Sequence, residues 1–177
     1  IMSQGNSVAD VAVHYPVVSL LAEIEKSELD YNHYMKLSRM IYEAGMDNDI
    51  IDDESILKAT IQNGKLIING NEYQALVFGA ERTIGLSVLE KALKLMENGG
   101  TVIFYGTLPT ASAENGRGDD HVASILKILL GAPTFELTDQ KIIENKLENG
   151  GYAAFIPDKP EVLPSFISRH IDRDFIG

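Results

Sequence analysis

Short unbroken apolar runs alternate along the chain with longer segments in which apolar residues recur every three or four positions, the signature of strands alternating with amphipathic helices. "SVADVAVHYP" (Ser7–Pro16) reads as a buried first strand closed by Pro16, and "NDIIDD" (Asn48–Asp53) as a brief second one. "ALVFG" (Ala75–Gly79) and "TVIFYG" (Thr101–Gly106) have the continuous apolar character of central parallel strands, and "GYAAFIP" (Gly151–Pro157) is a late strand. Between them, "VVSLLAEIE" (Val17–Glu25) predicts a short helix, and "DYNHYMKLSRMIYEAG" a helix with Tyr31, Tyr34, Leu37 and Ile41 at helical spacing and Gly45 as its C′ residue. "DESILKA" (Asp53–Ala59) is another short helix, and "KLIINGNEY" a hairpin turning at Asn69-Gly70. "GLSVLEKALKLMENGG" (Gly85–Gly100) places Leu86, Leu89, Leu93 and Met96 on one face, and "HVASILKILLG" (His121–Gly131) turns Val122, Ile125, Leu126 and Leu129 inward. "TDQKIIENKLENGG" predicts a helix capped by Thr138, and "PEVLPSFISRHI" a final helix interrupted near Pro164. The polar, glycine-bearing "TASAENGRGDD" (Thr110–Asp120) reads as the one low-order loop.

This alternation predicts a three-layer α/β/α domain built on a mostly parallel sheet, flavodoxin-like or class I glutamine amidotransferase-like. The 177 residues suffice for a single domain with a substantial core. We therefore expect one domain over 1–177, with 1–6 as a lead-in and 172–177 as an exit to a following domain. No apolar run reaches bilayer length, and no signal peptide precedes the first strand. The opening on Ile1 leads us to expect a fragment of a longer protein.

The formal charge of −11, from 26 acidic and 15 basic residues, argues against nucleic acid as a partner. The absence of cysteine excludes disulfides, thiolate nucleophiles and cysteine-type zinc sites. "GRGDDH" lacks the third glycine of a dinucleotide fingerprint, and "HYPVVSLL" makes a poor phosphate cradle for a flavin. The expected cofactor complement is therefore none. His14, His33, His121 and His170 are scattered, and "DNDIIDDE" lacks calcium-loop register, so no metal site is expected; Asp52 or Asp53 is read as a helix cap. A nucleophile elbow at the end of "TVIFYGTLP", around Tyr105 and Gly106, holds no nucleophile, and Ser87 of "GLSVL" lies within a helix pattern. The "RGD" of Arg117 to Asp119 is too short to signify adhesion. Glu81 and Arg82 follow a central strand and are read first as an ion pair at a helix start. Paired acid/base carboxylates stay open, since sequence does not show which of many acids converge.

The order of motifs resembles one family. "QGNSVADVAVHYP" (Gln4, Gly5, Ala9, Asp10, Val11, Tyr15 and Pro16) is followed by "EAGMDNDIIDDESIL", "NGKLIINGNEYQALVFG" and "NGGTVIFYGTLP". Together they resemble the amidotransferase-like domain of bacterial α-L-rhamnosidases of glycoside hydrolase family 106. The β-galactosidase trimerisation domain shares the layout. In the rhamnosidase family the helix after the first strand often carries an aromatic beyond Tyr-Pro, where this chain has Val17 and Val18.

The resemblance implies a non-catalytic accessory domain of a secreted, periplasmic or extracellular hydrolase. Its partners would be the catalytic barrel and β-domains of the same polypeptide, with carbohydrate as the candidate ligand. It transfers no catalytic residue. The alternatives are a stand-alone cofactor- or small-molecule-binding module and an oligomerisation domain. If a loop reaches a glycan, His14, Tyr15, Glu81, Arg82 and Thr107 are the candidates, because all five follow predicted strands and so share one sheet edge.

Overall fold

The computed structural model describes residues 9–22, 33–133 and 141–171. In chain order it runs β1 (Val11–His14), α1 (Val17–Ala22), α2 (His33–Glu43), β2 (Asn48–Ile51), α3 (Asp53–Lys58), β3 (Thr60–Gln62), β4 (Lys65–Ile68), β5 (Asn71–Tyr73) and β6 (Ala75–Gly79). There follow β7 (Thr83–Ile84), α4 (Leu86–Glu97), β8 (Thr101–Tyr105), β9 (Ala111–Ser112), β10 (Gly116–Arg117), α5 (Asp120–Leu130), β11 (Ile143–Lys146), β12 (Tyr152–Ile156) and α6 (Leu163–Ser168). Among the described residues this is a mixed α/β domain with six helices around a mostly parallel central sheet.

The central sheet has six strands in the order β11-β12-β8-β6-β1-β2. All neighbours are parallel except the edge pair of β11 with β12. Numbered along the chain, the five parallel strands β1, β2, β6, β8 and β12 lie in the order 2-1-3-4-5. The sequence of connections therefore reverses direction between β1 and β6, and such a reversal opens a crevice at the carboxyl ends of the two strands.

Both faces of the sheet are covered. One core packs Ala12, Phe78, Phe104 and Phe155 against α3, α4 and α5; the other packs Val13, Val77, Ile103 and Ile156 against α2 and α6. Burial on both sides explains why these strands read as continuous apolar runs rather than alternating ones. The helix faces are rotated slightly from expectation. In α4 the buried residues are Val88, Leu89, Ala92, Leu95 and Met96, while Leu86 and Leu93 are only partly covered. In α5 Leu130 joins Val122, Leu126 and Leu129 in place of Ile125.

Three expectations are corrected. The segment predicted as a Thr138-capped helix contains β11, because Ile143 to Lys146 pairs antiparallel with β12 and closes the sheet edge; Thr138 itself lies outside the described residues. The expected loop from Thr110 to Asp120 is instead ordered by the β9–β10 hairpin and an Asp119 cap on α5. Pro164 does not interrupt α6 but stands in its first turn, where a missing N–H costs nothing. The hairpin at Asn69-Gly70 forms as predicted, with both residues at positive φ, and β3 extends it into a three-stranded sheet through a second such turn at Asn63-Gly64. Tyr31, placed on the α2 face by spacing, lies outside the described residues.

Candidate functional site

β1 ends in His14 and β6 is followed by Glu81, so the 2-1-3-4-5 order brings these two side chains together at the crevice. Both are only 2% exposed. His14 Nδ1 donates to Glu81 Oε1 at 2.6 Å, and His14 Nε2 donates to Asp53 at the start of α3. The imidazole also leans on the Phe78 ring, 5.1 Å between centroids, which itself stacks on Phe104. Burial by itself would push the imidazole toward neutrality. The Glu81 charge, the hydrogen bonds to both carboxylates and the Asp53 charge outweigh it and raise the His14 pKa from 6.5 to about 9. Burial raises Glu81 above the usual carboxylate range, against the opposing pull of His14. The result is an imidazolium clamped between two acids at the centre of the crevice.

The remaining candidates divide. Tyr15 stands beside His14 and packs edge-on against Tyr34 of α2, with centroids 4.8 Å apart, so Tyr34 supports this loop instead of the core. Arg82 does not pair with Glu81, contrary to the ion pair expected there; Glu81 is taken by His14, and Arg82 is exposed on the wall of a separate cavity. Thr107 follows β8, and its backbone N–H closes a turn onto Tyr105 O. Asp53 was read as a possible cap, but Asp52 performs that role by accepting from Ser55 N–H, which leaves Asp53 for His14. The helix opens on three consecutive acids: Asp52 caps it, Glu54 pairs with Lys58, and only the fold shows that Asp53 goes to His14.

The turn after β6 is strained. Ala80 adopts φ +48°, a left-handed conformation that side chains bearing a Cβ seldom take, and its N–H donates to Tyr105 O. A sharp non-glycine turn after a central strand is the geometry that displays a catalytic nucleophile. Here residue 80 carries only a methyl group. Gly106, one strand over, also turns at positive φ, and a Cβ there would sit 3.3 Å from that of Ala80. Nearby, Tyr105 donates its hydroxyl to Asp158 at 2.6 Å, and burial together with that bond pushes its pKa up, so it stays a neutral phenol. Among the described residues, Glu81 Oε2 and His33 Nε2 are buried without a hydrogen-bond partner.

Among the described residues there is no cluster of three or more side chains suited to a metal ion, and no helix is long and apolar enough to cross a membrane. The Asp119 of "RGD" is turned inward, accepting from Ser112, Asn115 and His121, so the tripeptide is not presented.

No family model matches the sequence, and no curated protein is significantly similar to it. Solved structures do share the fold. Gan42B, a GH42 beta-galactosidase of G. stearothermophilus, superimposes on 93% of this chain with a TM-score of 0.67 at 11% identity. A catalytic mutant of the same enzyme gives 0.65. A beta-galactosidase from Bifidobacterium adolescentis matches 72% of the chain with a TM-score of 0.51 at 17% identity. The fold is thus one found within beta-galactosidase chains. This chain corresponds to 30% of the length of Gan42B and 56% of that of the Bifidobacterium protein. At these identities the likeness speaks for the fold and not for the chemistry.

Proposed function

We propose that the chain is a non-catalytic accessory domain of a glycoside hydrolase. The observation that carries this reading is the state of the crevice. The place where a doubly wound sheet binds ligand or mounts a nucleophile is filled by the buried pair of His14 and Glu81, flanked by the half-buried Asp53, beside a strained turn that holds alanine. A general acid or base must reach its substrate; Glu81, buried against His14, does not. The strand order and layering support a flavodoxin-like or amidotransferase-like description of the scaffold. Partial coverage of beta-galactosidase chains favours a parent of that type over the rhamnosidase type suggested by motif order. In such a parent the domain would pack on the catalytic barrel and β-domains of its own polypeptide, outside the cytoplasm.

The test is a panel of aryl glycosides, including β-D-galactoside and α-L-rhamnoside, offered to the isolated chain. No turnover is expected. Hydrolysis that disappears in Glu81→Gln would overturn the proposal.

A second reading, an oligomerisation domain, is favoured by α2, which exposes Met35 and Tyr42 two turns apart on one side. Light scattering separates the two: a monomer at high concentration removes it, whereas an oligomer that Tyr42→Lys dissociates supports it.

A further inference from the structure

A cavity of about 590 Å³, a size typical of small-molecule sites, lies beyond the clamped crevice. It opens between α1 and the small sheet of β7, β9 and β10, on the side of the molecule toward which β6 and β8 run. Two arginines line it, Arg82 and Arg117. In a chain with 26 acidic residues against 15 basic ones, an arginine ordinarily finds a carboxylate, yet neither of these makes an ion pair among the described residues.

The reason is local. Among the described residues, three carboxylates on the neighbouring turns are committed elsewhere. Asp119 accepts from Ser112, Asn115 and His121; Glu114 accepts from Leu86 N–H at the start of α4; Glu81 holds His14. The arginine backbones are fixed at the same time. Arg82 N–H donates to Ser19 Oγ and its carbonyl accepts from Thr110 and Ala111, while Arg117 is paired in register with Ala111. Two guanidinium groups carried on fixed backbone, with no ion-pair partner among the described residues, define a site for an external anion.

The rest of the wall defines what carries that anion. Thr83 and Thr110 bring hydroxyls that make no hydrogen bond among the described residues, and Val18 and Ala113 supply small apolar patches. Hydroxyl partners beside apolar patches suit a sugar ring, which has hydroxyl edges and C–H faces. We infer that this cavity binds an oxyanion borne on a polyhydroxylated body, a sugar acid or a sugar phosphate, gripped by Arg82 and Arg117. This goes beyond the accessory role, and nothing in it requires a hydrolase parent.

Calorimetric titration of the 177-residue chain with glucuronate, glucose 6-phosphate, glucose and inorganic phosphate tests it. Saturable binding is expected for one of the two anionic sugars, and which one responds identifies the oxyanion as carboxylate or phosphate. Arg82→Gln and Arg117→Gln should each weaken that binding about tenfold or more, the cost of one charged hydrogen bond. Lys127→Gln, an exposed cation on α5, should leave it unchanged, and circular dichroism verifies that each variant is folded. Failure of both anionic sugars to bind, equal affinity for inorganic phosphate, or affinity that survives both arginine substitutions would overturn the inference. Because binding is read on the chain itself, such a failure would leave the accessory-domain reading untouched.

Discussion

At the residue scale, the structure turns on where a few polar side chains are spent. His14 was readable as a strand-end residue, and so was Glu81, because both follow apolar runs. Their contact was not readable, since it joins positions 67 residues apart through a strand order that no local pattern encodes. Asp53 was hidden further, behind the capping role that Asp52 takes. Removing the cation should be costly: His14→Leu leaves two acids facing an apolar group, and loss of one partner of a buried pair costs about 3–5 kcal/mol. Urea denaturation would register this as a lower midpoint. The double variant His14→Leu/Glu81→Leu should recover part of the loss, because it removes the stranded carboxylate as well. Gly151 gives a second, purely steric prediction. A Cβ there would lie 2.0 Å from Met96 O, so Gly151→Ala must displace backbone where the entry to β12 packs against the end of α4. A loss of more than about 2 kcal/mol is expected in the same denaturation assay, the range of other overpacking changes.

At the element scale, the sequence was most legible where one periodicity ran uninterrupted. The central strands and α4 are recoverable from pattern alone because their environment is uniform: two covered faces for the strands, one apolar stripe for the helix. Short elements escaped. β7, β9 and β10 have two residues each, too few for any period, and together they build the cavity that carries the arginines. The segment with β11 misled for a different reason. "IIENKLEN" has a helical spacing of apolar residues, but a free sheet edge lies beside it, and pairing with β12 overrides local propensity. β11 also repays α5. Asn145 donates its amide to the carbonyls of Ile128 and Leu129 at 3.1 and 3.0 Å, capping the carboxyl end of that helix before Gly131 turns left-handed. Asn145→Ala should therefore cost about 1 kcal/mol, a typical hydrogen-bond contribution. Hydrogen exchange should speed first in the last turn of α5 and in β11, not in α4.

At the scale of the whole molecule, the charge arrangement sets the dependence of stability on pH. The folded-state pKa of His14, about 9, lies above the ordinary 6.5, so the folded form holds its proton more tightly than the unfolded chain. The stabilisation is fully present below pH 6.5, declines as pH rises, and is gone above about 9; over that window it amounts to something on the order of 3 kcal/mol. Asp119 acts in the opposite sense. Its bond from Ser112, first among several and against its burial, lowers its pKa from 3.8 to about 2, so its contribution is present above 3.8 and lost as pH falls toward 2. Urea midpoints should accordingly be highest between these limits and fall on the alkaline side. His14→Leu should flatten that alkaline fall. Composition showed an acidic protein, but not that one buried cation would dominate its alkaline limb.

The central claim is that the crevice between β1 and β6 is occupied by a structural ion-pair cluster and not by a site open to substrate. The most direct measurement is the titration of the His14 imidazole by nuclear magnetic resonance, assigned by comparison with His14→Leu. The account predicts a midpoint near 9, unaffected by added galactose or rhamnose. A midpoint near 6.5, or one that either neutral sugar shifts, would show an accessible imidazole and contradict it.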